Sequence, residues 1–205
     1  VKDKRPSGAV PYYLPEVCPV CGAPVSRDED GVAIRCTGAE CPAQLLRNLT
    51  HFTSRNAMDI DGVGPAVIQS LVDSGLVKTA ADLYRLQVQD IAQLDRMGEK
   101  SAANAVAAIE KSKENDLWRL LSALGIRQVG DKAAKVLAAH FGSFDALSAA
   151  SEEELTAIDD VGPITARYIR QWLESPQSQD LLARLREAGV NMTSHQEKVD
   201  DRFAG

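Results

Sequence analysis

Four things are scarce or missing in this sequence, and each narrows what it can do. There is no surplus of positive charge: 23 Lys and Arg against 29 Asp and Glu leave a formal net charge of -6. A protein that neutralises phosphates with side chains usually shows a basic face. Net charge is a sum, however, and acids cluster in "RDEDG" and "SEEEL", so charge alone leaves the partner open. No apolar run is long enough to span a bilayer, and the charged opening "VKDKRPSG" is not a secretory leader, so the chain reads as cytosolic. His51, His140 and His195 are scattered, with no acid or nucleophile in sequence reach, and none is assigned chemistry. Cysteine is missing from everything after Cys41. With 44% hydrophobic and 25% charged residues in 205, the remainder is ordinary globular material, enough for one or two domains with real cores.

The four cysteines that are present form one cluster: Cys18 and Cys21 in "CPVCG", Cys36 and Cys41 in "RCTGAECP". Two short knuckles each offering a pair of thiolates, folded one over the other, enclose a tetrahedral four-sulfur site suited to zinc. Gly22 supplies the tight turn after the first pair, and "VSRDEDGVAIR" reads as a hairpin turning at Asp30-Gly31. Two disulfides are the alternative, but the paired spacing is metal-like and nothing indicates secretion. A redox Cys-x-x-Cys belongs at a helix start after a strand, which Pro19-Val20 does not resemble. All four ligand positions are filled by protein, so the expected metal is structural rather than catalytic.

After Pro42 the pattern is helical, with Leu45, Leu46, Leu49 and Phe52 on one face. The chain then repeats to about Val190. "IDGVG", "LDRMG", "IRQVG" and "IDDVG" end at Gly64, Gly98, Gly130 and Gly162, separated by 34, 32 and 32 residues. Further matches such as Leu83 with Leu147 and Ile91 with Leu155, 64 residues apart, suggest motifs organised in pairs. In each unit an apolar residue ends one helix, a buried one (Val63, Met97, Val129, Val161) plugs the turn, glycine follows, and a second helix begins. Pro65 and Pro163 suit the first helical position. The second helices show core faces at Ile68, Leu71 and Val72; Ala102, Ala105 and Val106; Ala134 and Leu137; and Ala166 and Ile169. Gly75 and Gly142 fit left-handed helix caps.

A glycine turn opening a helix has no side chain to hold a ligand off, and its free N–H groups point outward with the positive end of the helix dipole. Four such turns would match a phosphate backbone without much net positive charge. The alternative is that each glycine only lets two helices pack closely. Gly62 is replaced by Arg96, Gln128 and Asp160 in the other units, and Asp159 with Asp160 would repel a phosphate, so the fourth turn is expected to be weaker or to serve packing. Lys100 and Lys132 stand in the first turn of their helices, where a cation is disfavoured unless an anion is near, although Glu99 and Asp131 offer them partners. Arg127 is a further phosphate candidate, whereas Arg55 reads as a solvated helix residue. Trp118 and Trp172 fall among leucines at helical spacing and are expected to pack in the core.

Taken together, "RPSGAVPYYLPEVCPVCGAPV", "RCTGAECPAQ", "SRNAMDIDGVG", "LDRMGEKSA" and "LGIRQVG" resemble the C-terminal half of the bacterial NAD-dependent DNA ligases, in order and over essentially the whole chain. The resemblance implies a mainly α fold, tandem helix-hairpin-helix repeats preceded by a small four-cysteine zinc finger. It implies residues 1–17 as the end of an oligonucleotide-binding barrel, 18–44 as the finger, 45–190 as four helix-hairpin-helix motifs in two pairs, and 191–205 as a linker toward a BRCT-type domain. Zinc would be held by Cys18, Cys21, Cys36 and Cys41. Contacts to nicked duplex DNA, mainly through backbone and minor groove, would come from Gly62, Val63 and Gly64; Met97, Gly98 and Lys100; Arg127, Val129, Gly130 and Lys132; and Val161 and Gly162. The Lys-x-Asp-Gly motif that such ligases adenylate does not occur here, since "MDIDG" and "DEDG" lack the lysine. The resemblance therefore implies a DNA-holding part with no catalytic residue, working with further ligase domains in the same chain that use NAD and Mg2+. Clamping would orient the nick ends, a proximity contribution rather than bond chemistry. A protein-docking adaptor, expected to show an exposed apolar patch, and a branched-DNA binder are the competing readings.

Overall fold

The computed structural model describes residues 13–20, 22, 25–27, 33–36 and 41–195. The chain divides into two compact units, Val1–Gln44 and Leu45–Gly205. In the first, β1 (Val25–Arg27) and β2 (Ile34–Cys36) pair antiparallel, with Val25 opposite Cys36 and Arg27 opposite Ile34. This is the expected hairpin; its turn at Asp30-Gly31 lies outside the described residues. Gly22 has φ 73° and donates its N–H to the Cys18 carbonyl at 2.9 Å. That left-handed turn is one a residue with a Cβ adopts only at a cost.

The second unit is helical. Its elements are α1 (Pro42–Thr53), α2 (Pro65–Asp73), α3 (Ala80–Leu83), α4 (Val88–Ala92), α5 (Glu99–Ser112) and α6 (Leu117–Ala123). They are followed by α7 (Asp131–Phe141), α8 (Phe144–Ala149), α9 (Glu152–Thr156), α10 (Pro163–Glu174) and α11 (Pro176–Glu187). The helix-hairpin-helix grammar appears as α4 with α5, α6 with α7 and α9 with α10. The first unit of the repeat differs: α1 ends at Thr53 and the arm before Gly64 is a bonded turn rather than a helix. There the Met58, Asp59 and Ile60 N–H groups reach back to the carbonyls of Phe52, Ser54 and Thr53.

The expected core faces are inside. Ile68, Leu71, Ala102, Ala105, Ala134, Leu137, Ala166 and Ile169 are buried, each large aliphatic contributing about 1.5–3 kcal/mol through removal from water. They sort into two clusters. One gathers Leu49 and Phe52 of α1 with α2 to α5 and with Leu120 and Ala123 of α6, and the other gathers Leu117 and Leu121 of α6 with α7 to α10. Trp118 and Trp172 are half-buried at the edge of the second, and the Trp118 ring lies beneath the Arg119 and Lys135 cations at 4.8 and 4.6 Å. Gly142 caps α7 with φ 70° and Gly75 follows α2 with φ 74°, as their positions suggested.

Two helices, α6 and α11, belong to both clusters. On α11, Leu185 is buried in the first and Leu182 in the second. Arg184 of this helix is bonded to Asp82 of α3 and to the Thr79 hydroxyl, and Arg186 is paired with Asp145 of α8. Residues 191–195, expected to begin the linker, are bonded to this body. The Asn191 N–H donates to the Lys113 carbonyl, Phe144 to Met192, and Ser194 to Gly142, at 2.8–2.9 Å. The remainder of the expected linker, 196–205, and residues 1–12 of the expected barrel end lie outside the described residues.

Candidate nucleic-acid interface and metal centre

Each hairpin turn is built the same way. In three of them the N–H of the plug residue closes on the carbonyl three residues back: Met97 on Leu94 at 3.1 Å, Val129 on Ile126 and Val161 on Ile158 at 3.0 Å. The residue before the plug is left-handed in all four, with φ 79° at Gly62, 62° at Arg96, 65° at Gln128 and 66° at Asp160. The substitutions that made the fit look uneven therefore fall on a position whose backbone is uniform. Val63, Val129 and Val161 are buried and Met97 is half-buried, so the plugs anchor the turns.

The following glycine is the helix N-cap in every unit. Gly64, Gly98, Gly130 and Gly162 are exposed and extended, with φ between -76° and -94°. A Cβ built on any of them would meet nothing within 4 Å. Close packing of two helices is therefore not what requires glycine there. Nor is helix capping, since Ser, Asp or Asn caps better.

The capping pattern supports this division. Of the other helices, α6, α8, α9 and α11 begin with Asp116, Ser143, Ser151 and Ser175, whose side chains accept an N–H from the first turn. The four helices that follow a hairpin turn, α2, α5, α7 and α10, have no side-chain cap. Their first-turn amides open directly to the outside, the arrangement that binds anions at helix N-termini.

The expected cations differ in their surroundings. Lys100 is exposed and makes no ion pair among the described residues. Lys132 does not turn to its neighbour: Asp131 accepts the Ser122 hydroxyl at 2.8 Å, and the Lys132 Nζ reaches Asp160 of the fourth turn at 2.8 Å. This pair joins the third turn to the fourth and offsets the charge of Asp160. Arg127 lies over the Tyr168 ring of α10, 4.5 Å from its centroid. Sequence reading passed over the left-handed position itself. Aligning the four units to Gly62 and treating that column as a backbone requirement would have found it.

In the first unit the Sγ atoms of Cys18, Cys36 and Cys41 lie within 4.8 Å of one another, and Cys18 and Cys41 are buried. Cys18 Sγ and Cys41 Sγ are 3.8 Å apart. That is far from a disulfide bond and equals the edge, about 3.8 Å, of a tetrahedron with metal–sulfur bonds near 2.3 Å. The Val20 N–H points at Cys18 Sγ from 3.5 Å, as a donor does toward a thiolate. Cys21, the fourth expected ligand, lies outside the described residues. The set fits structural zinc, which would cross-link the two knuckles.

Comparison with known proteins follows these divisions. The family model described as NAD-dependent DNA ligase C4 zinc finger domain matches residues 17–43. A SAM-like helix-hairpin-helix tandem matches 54–111 and a helix-hairpin-helix motif 119–182. The chain is similar to the DNA ligase of Marinobacter nauticus, 52% identical over 96% of this chain and 29% of the ligase. It is similar to that of Symbiobacterium thermophilum, 52% identical over 94% and 29%, and to that of Myxococcus xanthus, 46% over 100% and 30%. The chain thus spans about 30% of the length of the curated relatives it matches. Among the described residues no helix is long and apolar enough to cross a membrane.

Proposed function

We infer, from the premise that this chain belongs to the NAD-dependent DNA ligases as their zinc-finger and helix-hairpin-helix region, that it grips nicked duplex DNA during sealing. In this reading the grip is on the phosphate backbone, through main-chain amides of the turns at Gly62 to Gly64, Met97 to Lys100, Arg127 to Lys132 and Val161 to Gly162. Cys18, Cys21, Cys36 and Cys41 hold zinc as a structural cross-link. The region acts in the bacterial cytoplasm, in replication and repair, alongside the ligase domains that use NAD and Mg2+. It holds the nick rather than seals it, because the chain has no Lys-x-Asp-Gly motif. Holding contributes by keeping the phosphate and hydroxyl ends in line.

One observation carries the reading: four exposed glycines stand at uncapped helix starts where a Cβ would meet nothing within 4 Å. Glycine is needed there only if something from outside comes closer than a side chain would allow. The same bare amides explain how a chain of net charge -6 engages a polyanion.

The test is equilibrium binding of this chain to a labelled nicked duplex across a salt series, with intact duplex alongside. Affinity should fall linearly in log–log form, with a slope of about -0.9 per phosphate neutralised by a lysine or arginine. Tighter binding to the nicked duplex would support nick recognition. A docking role for the first unit is favoured by Tyr13, Leu14, Val17 and Val20, exposed at 79, 47, 54 and 55%. It would stand in place of the DNA reading if no salt-dependent binding is found.

A further inference from the structure

The two cysteine knuckles are held by different means. Around Cys18 the bonds come from the main chain: the Gly22 N–H donates to the Cys18 carbonyl at 2.9 Å, the Val25 N–H to the Glu16 carbonyl at 3.1 Å, and the Val20 N–H points at Cys18 Sγ. In the second knuckle one residue meets both cysteines. Gln44, the third residue of α1 and half-buried, donates its backbone N–H to the Cys41 carbonyl at 2.9 Å and its side-chain Nε2 to the Cys36 carbonyl at 2.7 Å. A carbonyl only accepts, so the nitrogen of the side-chain amide is the atom that faces Cys36.

The backbone bond is ordinary for the first turn of a helix, but the side-chain bond is not. A glutamine at the third helical position commonly reaches back to the amide of the N-cap, whereas this one reaches eight residues back to the last residue of β2. It thereby ties the end of the strand to the start of the helix, the two places from which Cys36 and Cys41 project. Cys36 is where such a tie counts. Cys18 and Cys41 are buried and Cys36 is only half-buried, so of these three sulfurs it is the one a chelator or a competing thiol reaches first. Ligands that are already held in place cost less to order when a metal binds and leave it less readily.

We propose that Gln44 is a positioning residue of the zinc centre, acting through the Cys36 carbonyl to keep the most exposed thiolate in the ligand set, and so raising zinc affinity and slowing zinc loss. This rests on the four-cysteine reading of the centre. The tie also has a sign. Four thiolates around Zn2+ leave a net negative charge, so a neutral donor suits this place, and a carboxylate here would both lose the bond and set an oxygen against the carbonyl oxygen.

The experiment compares wild type, Gln44→Met and Gln44→Glu in zinc competition against a chromogenic chelator at one pH. Cobalt is used as a spectroscopic stand-in for zinc, and the melt of each protein is followed by far-ultraviolet helical signal. Gln44→Met, of similar length but without the donor, should bind zinc about 10- to 100-fold more weakly, the range in which outer partners of metal ligands act. Gln44→Glu should be weaker still, and both should surrender zinc to the chelator faster. At saturating cobalt each variant should show the thiolate-to-metal band at wild-type intensity, because the ligands are unchanged, and the helical melt should not move. Wild-type zinc affinity in Gln44→Met would overturn the proposal whatever Gln44→Glu does. A diminished cobalt band at saturation would also overturn it, since the residue would then be needed to form the site rather than to hold it. Failure of the wild type to bind one zinc with the thiolate signature would overturn the zinc reading itself, and the inference with it.

Discussion

Gly130 begins α7 with φ -94° and free space where a side chain would stand, so serine fits there and is the better N-cap by a few tenths of a kcal/mol. Gly130→Ser is accordingly expected to melt at the same or a higher temperature while binding DNA more weakly, because the hydroxyl occupies the amide a phosphate would use. A melt and a binding curve on one preparation check both halves; unchanged binding would return this glycine to a role in the chain alone. The recurring glycine was legible in the sequence because one residue type repeats at one interval. The left-handed column was not, because Gly62, Arg96, Gln128 and Asp160 share a backbone conformation and no chemistry. Likewise the spacing of Lys132 and Asp131 suggested a local pair, whereas the lysine spans 28 residues to Asp160, a distance only the fold closes.

Among the elements, α11 was the least foreseeable. Its apolar pattern was plain helix, but nothing in it announced that Leu185 and Leu182 would enter different cores or that Arg184 would reach α3. Burial alone would push the Asp82 carboxyl up, but the Lys78 and Thr79 N–H bonds and the Arg184 guanidinium outweigh it and hold its pKa below the ordinary value. A carboxylate depressed on folding stabilises above its unfolded pKa, about 3.9, and that contribution is lost as the pH falls through the lower folded value. Asp82→Asn should therefore cost about 1–3 kcal/mol at neutral pH, and the gap to wild type should close in the acid range below about pH 4. Urea unfolding of both proteins at neutral and acid pH measures it; a gap that persists in acid would show that the ion pair is not its source. The irregular arm before Gly64 also escaped sequence reading, since "SRNAMDI" has apolar residues a short helix would use equally well.

For the whole molecule, the cysteine spacing and the repeat interval read correctly because metal coordination and hairpin packing each fix residue type at fixed offsets. The two units differ in what stabilises them. The first has two short strands and the cysteine cluster; the second has two hydrophobic clusters. Chelation of zinc, or Cys36→Ser, should abolish metal content and the order of the first unit, with nearly all far-ultraviolet helical signal retained. Loss of the helical signal along with the metal would mean that the second unit depends on the first. Within the second unit, α11 gives each cluster a leucine that cannot be withdrawn without exposing the other's neighbour. Two cores that share this helix, and α6 besides, cannot come apart in turn. Although the repeat suggests two modules, heat should find a single cooperative substance.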